Sequence, residues 1–164
     1  MNGIVRIGGF ISCLLAAGLL VADDWPQWRG VERDGVWRET GIVKELPKKL
    51  SFLWRTPVGM GYAGPAVAAG KVYLMDRVLG DGEANPDNPF DKKRVNGSER
   101  ILCFDATSGK VLWKHSYPSN YTISYPYGPR TTPTVSGGKV YCLGAMGDLF
   151  CLEAGSGKIL WSRQ

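Results

Sequence analysis

Beyond residue 22 the apolar residues fall in short runs that alternate with polar ones and stop at glycines, and almost no stretch free of Gly and Pro is long enough for a helix. Pro65-Ala66-Val67-Ala68-Ala69-Gly70-Lys71-Val72-Tyr73-Leu74 reads as two strands on either side of a glycine turn. Leu102-Cys103-Phe104-Asp105-Ala106-Thr107-Ser108-Gly109-Lys110-Val111-Leu112-Trp113 reads as two more, joined by a Ser-Gly-Lys turn. Gly109 sits where that turn demands a positive φ, and Asp105 is placed to accept hydrogen bonds from the turn's backbone donors.

The same pattern then returns. Residues 65–74 recur from Pro133 to Cys142, 68 residues on, and residues 102–113 recur from Phe150 to Trp161, 48 residues on. The offsets differ because the first copy carries a long insertion, placed at 78–99, between Arg77 and Glu99. Leu53-Trp54-Arg55 has the position of the last strand of an earlier partial unit, since Trp54 precedes Pro65 as Trp113 precedes Pro133. Four-stranded antiparallel units at a spacing of forty-odd residues predict an all-β fold, a partial β-propeller with about two blades. The expected organisation is an N-terminal leader at 1–22, an arm at 23–50, a first blade at 51–117 and a second at 118–164.

Composition narrows the function classes. Of 164 residues, 44% are hydrophobic and 21% charged, enough for one modest core; 22 Gly, 10 Pro and 6 Trp fit short strands and turns. The net charge of +5 is spread along the chain with no basic run interleaved with aromatics, which argues against a nucleic-acid partner. Residues 1–22 change the picture more. One positive charge in the first six residues, an apolar run over 7–21, and Leu20 and Ala22 ahead of Asp23-Asp24 have the layout of a secretory signal peptide. A membrane anchor is disfavoured because the run is shorter than about 20 residues and holds glycines. A lipoprotein is disfavoured because Cys13 lies in the middle of the run. The expectation is a periplasmic or extracellular protein with no membrane span after cleavage, three cysteines and a charge of +4.

Asp105-Ala106-Thr107-Ser108-Gly109-Lys110-Val111-Leu112-Trp113 resembles the docking repeat of the PQQ-like, quinoprotein-type β-propellers, a group that includes quinoprotein alcohol dehydrogenases and the outer-membrane assembly scaffold of the Bam complex. The segment Asp24-Trp25-Pro26-Gln27-Trp28-Arg29-Gly30, then Arg33-Asp34-Gly35, is similar to the mature start of a secreted bacterial branch, the polyvinyl-alcohol-dehydrogenase-like repeat proteins. The resemblance implies that Trp113 and Trp161 pack between blades over the Gly-containing turns, with Gly109 and Gly157 as the turn residues. Because a propeller closes with at least four blades, two read as the N-terminal part of a longer product.

Several groups are candidates for chemistry. Gly59-Met60-Gly61-Tyr62-Ala63-Gly64 spells a dinucleotide fingerprint, but Pro65 leads into a strand where the motif needs a helix, so it reads as a connection between blades. Asp81, Glu83, Asn85 and Asp87 alternate as in a calcium loop, yet Pro86 and Lys92 stand where that loop requires Gly and a bidentate Glu, so no metal site is assigned. His115 is the only histidine and receives no role. Cys142 and Cys151 would face each other across a two-residue turn at Met146-Gly147, as a disulfide or as two small apolar residues between blades. Arg130, in Gly128-Pro129-Arg130, can offer its planar donors to an anionic ligand such as a quinone, or pair with a carboxylate of the next blade. Tyr125 and Tyr127 beside it can stack on a ligand or fill the seam.

The sequence therefore predicts a binding or scaffolding module, with a protein partner or small ligand on the propeller face and catalytic residues unassigned. The alternative is a PQQ-dependent alcohol dehydrogenase of the polyvinyl-alcohol type, which the resemblance implies would hold PQQ over Ca²⁺ with its catalytic residues in further blades.

Overall fold

The computed structural model describes residues 23–164; the leader expected at 1–22 lies outside them. Eight strands follow one another as β1 (Ala66–Ala68), β2 (Lys71–Leu79), β3 (Gly97–Asp105), β4 (Val111–Pro118), β5 (Thr134–Ser136), β6 (Lys139–Leu143), β7 (Leu149–Glu153) and β8 (Ile159–Arg163). They form two four-stranded antiparallel sheets, β1-β2-β3-β4 and β5-β6-β7-β8, the two predicted propeller blades. Tyr73, Cys103 and Trp113 stand in one row across the first sheet, and Tyr141, Cys151 and Trp161 in the same row of the second. Each sheet slips register one residue beyond that row, between Cys103 and Phe104 and between Cys151 and Leu152. The internal repeat is thus reproduced down to its irregularity.

The core is the seam between the blades. Ala66, Tyr73, Met75, Ile101 and Cys103 from one face of the first sheet meet Val140, Cys142 and Leu152 from the second, all buried. Met75, Ile101, Val140 and Leu152 each contribute about 1.5–3 kcal/mol by leaving water. Two hydrogen bonds pin the seam at one carbonyl: the Tyr73 hydroxyl donates to Ala154 O at 3.2 Å and the Trp113 indole N–H at 3.0 Å. The Trp113 ring lies so close to Gly157 (φ 72°) that a Cβ there would be 2.6 Å from it. Trp54 stands over Gly109 (φ 69°) in the same way, at 2.5 Å from a Cβ position, with its indole N–H on Ala106 O at 2.9 Å.

Three details depart from the sequence reading. Residues 53–55 carry the expected tryptophan contact without being a strand, because no neighbouring strand lies beside them among the described residues to pair with. The insertion is shorter than 78–99, spanning 80–96, since β2 and β3 stay paired out to Leu79 and Gly97. The β6–β7 loop has three residues beyond its last bonded pair: Leu143 opposes Leu149 and Gly144 N donates to Asp148 O at 2.8 Å. That shifts the pairing by one, so Cys142 opposes Phe150 and Cys151 opposes Tyr141, and the two thiols project from opposite faces of the sheet.

Cys103, Cys142 and Cys151 are accordingly free and buried. Burial pushes the Cys103 thiol up to about 11 and the Cys142 thiol up to about 12. Little thiolate of Cys103 and Cys142 is therefore present at pH 8, and all three side chains are shielded from reagent by burial. Alkylation of the native protein should be very slow at these three positions and become rapid on unfolding, as peptide mapping would show. A linked Cys142–Cys151 peptide in the non-reduced digest would instead mean that β6 and β7 pair in the other register.

Residues 24–26 run along the inner edges of both blades. Trp25 exchanges backbone hydrogen bonds with Val67, and Val135 N donates to Pro26 O at 2.8 Å. The Asp24 carboxylate accepts the N–H of Ala69, a non-glycine residue held at φ 49° in the β1–β2 turn. Among the described residues no helix is long and apolar enough to cross a membrane.

Candidate functional site on the loop face

The ends of β2, β3 and β4 and the connections 59–64, 80–96, 119–133 and 144–148 meet at one end of the sheets. Charged residues buried there tie them together. Arg77, fully buried on β2, donates to Pro126 O at 3.0 Å and Val95 O at 2.9 Å, and its guanidinium stacks 3.9 Å from the Tyr121 ring centroid. Burial lowers its affinity for the proton, while Tyr121, Glu99 and Glu83 oppose that shift. One buried arginine thus holds two connections, 80–96 and 119–133.

Glu99, opposite Arg77 on β3, is also fully buried. Its Oε1 accepts from the Tyr121 hydroxyl and, at 2.9 Å, from Ala145 N in the second blade; its Oε2 accepts from the Tyr117 hydroxyl. Burial first, and the adjacent carboxylate second, push both tyrosine pKa values far above the ordinary range, so the phenols remain donors. Asp76 completes the set. It receives Arg100 through two bonds, 2.7 Å at Oδ1 and 2.5 Å at Oδ2, and accepts Gly59 N at 2.5 Å. A side chain at Gly59 would meet Arg77 O at 2.3 Å, so the glycine is needed for close approach to β2; the segment is a connection that leads into strand β1 and not into a helix, as the sequence predicts.

What remains outside is aromatic. Phe90 and Tyr125 meet edge to face at 5.0 Å, Tyr62 and Tyr127 at 6.4 Å, and Phe90, Tyr62 and Tyr125 are 66%, 50% and 41% exposed. Tyr125 is held at φ 53°, a conformation that costs a bulky residue of order 1 kcal/mol. Gly59, Met60, Gly61, Tyr62 and Tyr127 line an open cleft of about 450 Å³. Arg130 is exposed at its rim, 5.8 Å from the Tyr62 ring, and donates to Ser124 O at 2.7 Å and Tyr125 O at 3.0 Å. Among the described residues no carboxylate lies within ion-pair distance of it.

The acidic positions of the insertion do not converge. Glu83 is engaged by the Asn96 amide at 2.6 Å, Asn85 turns its amide to the Met60 sulfur at 3.6 Å, and Asp81 and Asp87 are exposed. No group of three or more His, Cys, Asp or Glu side chains is placed to hold a metal ion among the described residues. These residues therefore do not fit a quinone held over calcium. His115 lies half-buried against Phe150 at 5.2 Å, and burial lowers its pKa.

The sequence reading brought Arg130, Tyr125 and Tyr127 to this face but missed Asp76, Arg77, Glu99, Arg100, Tyr117 and Tyr121. A signal was present: two adjacent charged pairs, Asp76-Arg77 and Glu99-Arg100, inside otherwise apolar strand patterns. Charges in such a position are kept only when each finds a partner.

Comparison with solved structures matches BamB from Moraxella catarrhalis at 17% identity and a TM-score of 0.33, over 64% of this chain and 33% of that one. A europium-containing methanol dehydrogenase matches at 15% identity and a TM-score of 0.33, over 70% of this chain and 26% of that one. The chain thus spans about a third and about a quarter of these two proteins. Comparison with curated proteins gives no match. The family model described as outer membrane protein assembly factor BamB matches residues 51–164, both blades and the segment carrying Trp54. The chain belongs to this family of PQQ-like β-propeller repeat proteins.

Proposed function

We propose that this protein is a scaffolding module without catalysis of its own, acting outside the cytoplasm and binding a protein partner through its loop face. The observation that carries the reading is the division of labour at that face. Asp76, Arg77 and Glu99 are each engaged in holding loops and Arg100 is engaged by Asp76, which leaves Tyr62, Phe90, Tyr125 and Arg130 as exposed aromatic and cationic contact surface. Aromatic residues and arginine are the types that anchor protein interfaces. Trp113 over Gly157 and Trp54 over Gly109 act as blade-docking contacts, and Trp161 offers the same contact to a following blade. Arg130 belongs to the contact surface rather than to a cofactor site. The family's description, assembly of outer-membrane proteins, supports a partner of that class and a periplasmic location.

Two titrations test this. A urea-unfolded outer-membrane β-barrel protein diluted into the purified protein should bind saturably, and Tyr62→Ser with Phe90→Ser should weaken binding about tenfold or more at unchanged melting. PQQ with Ca²⁺ and an alcohol should give no dye reduction. Saturable quinone binding with turnover would replace the scaffold reading with that of a dehydrogenase.

A further inference from the structure

The N-terminal motif takes no part in the loop face. Its Trp25 is bonded to Val67 of β1 and its Pro26 O accepts Val135 N of β5, and the chain then coils tightly through residues 27–35. Gly30 N donates to Gln27 O at 3.0 Å, Arg33 N to Gly30 O at 3.2 Å and Gly35 N to Arg29 O at 2.9 Å. Gly30 and Gly35 take positive φ in this coil, which glycine does freely, but so do Arg29 at φ 64° and Arg33 at φ 58°. Side chains kept in that region against their preference collect at functional sites.

Both arginines, with Gln27, Trp28 and Thr134 of β5, line an open hollow of about 400 Å³. Four of these five residues are polar and none is acidic. Each arginine spends one donor on its own coil: Arg29 Nη2 donates to Asp34 O at 3.1 Å and Arg33 Nε to Gln27 Oε1 at 3.2 Å. That orients both guanidinium forks and leaves most of their five donors each unused. Among the described residues no carboxylate lies within ion-pair distance of either. The two acids of the coil face elsewhere. The Asp34 carboxylate accepts Arg38 and Val36 N, and Glu32 lines a separate hollow, where Trp37 returns beside Trp25.

We propose that this hollow binds a tetrahedral oxyanion, the phosphate or sulfate group of a small monoester, between Arg29 and Arg33, with the carbon part of the ester against Trp28. Two guanidinium forks without a carboxylate are the donor set that recognises such oxygens in pairs. A tetrahedral ester group presents three oxygens to them, one more than a carboxylate, and Gln27 and Thr134 stand beside the forks as further donors. Trp28, 69% exposed, offers an apolar ring face that the ring of a sugar can cover. The site shares no residue with the loop face, so it stands apart from the scaffold reading.

Calorimetric titration of the purified protein at fixed ionic strength with glucose 6-phosphate and, separately, with glucose 6-sulfate tests the proposal, and the tighter ligand identifies the anion. At least one should saturate. Glucuronate, which carries a planar carboxylate on the same ring, should bind about tenfold more weakly or not at all. Arg29→Gly and Arg33→Gly should each weaken the ester about tenfold while the melting temperature stays or rises, because glycine relieves the positive φ. Arg33→Asn, which also tolerates that φ and lacks the fork, should weaken it equally. Saturation by neither ester, equal affinity for glucuronate, or wild-type affinity in the arginine variants would overturn the proposal.

Discussion

Glu99→Ala should destabilise the protein by about 3 kcal/mol or more, the effect expected when a buried acceptor leaves several donors behind. The carboxylate accepts from two phenols and from Ala145 N, and it is the one group that joins β3, β4, the 119–133 loop and the second blade. Removing it strands three donors, two of them hydroxyls of buried tyrosines. Relief of the buried charge's desolvation offsets part of the loss, which is why the figure is not larger. Glu99→Gln keeps the volume and one acceptor oxygen, and a tyrosine hydroxyl can turn to accept from the new amide; about 1–2 kcal/mol is expected. Denaturant unfolding followed by circular dichroism separates the two. Equal stabilities for the alanine and glutamine variants would mean that the network is not formed in solution.

The second large effect is at the seam. Trp113→Ala should cost about 3 kcal/mol, from lost packing against Tyr73, at 6.0 Å between rings, and from the lost N–H bond to Ala154 O. Gly157→Ala should cost a similar amount for two reasons that can be pulled apart. Its φ of 72° strains any L side chain by about 1 kcal/mol, and its Cβ would lie 2.6 Å from the Trp113 ring. In the Trp113→Ala background the clash is absent, so Gly157→Ala should then cost only the strain, and the double variant should be more stable than the two single losses predict by about 1–2 kcal/mol. Strict additivity would show that the ring does not sit on the turn. The same logic applies to Trp54 over Gly109, although Trp54 lies in no strand and its ring is held by the indole N–H and by Thr56 Oγ1 on Gly109 O at 2.7 Å.

The two halves of the loop face differ in how far the sequence exposes them. Arg130, Tyr125 and Tyr127 were visible because they crowd into a Gly- and Pro-rich connection, where large side chains have no strand to support and stand out. Glu99 and Arg77 were not, because a charged residue near a strand end is ordinarily solvated. Whether it is buried depends on loops that arrive from 18 to 49 residues away. The register of β6 and β7 was misjudged for a related reason. Gly147 accommodates a turn of two or of three residues, and the choice was made by seating Val140, Cys142 and Leu152 against the first blade.

The sequence by itself determined the blades. Alternation sets the strands, Gly109 and Gly157 set turns that only glycine enters without strain, and the repeat fixes the four-stranded order, all of which are local or near-local constraints. Tertiary structure decided the rest: the pairing frame of the cysteines, the burial of Asp76, Arg77 and Glu99, and the return of Trp37 to Trp25. Those outcomes depend on which surfaces meet across the seam and along the inner edges, where burial forces each charge to find its partner.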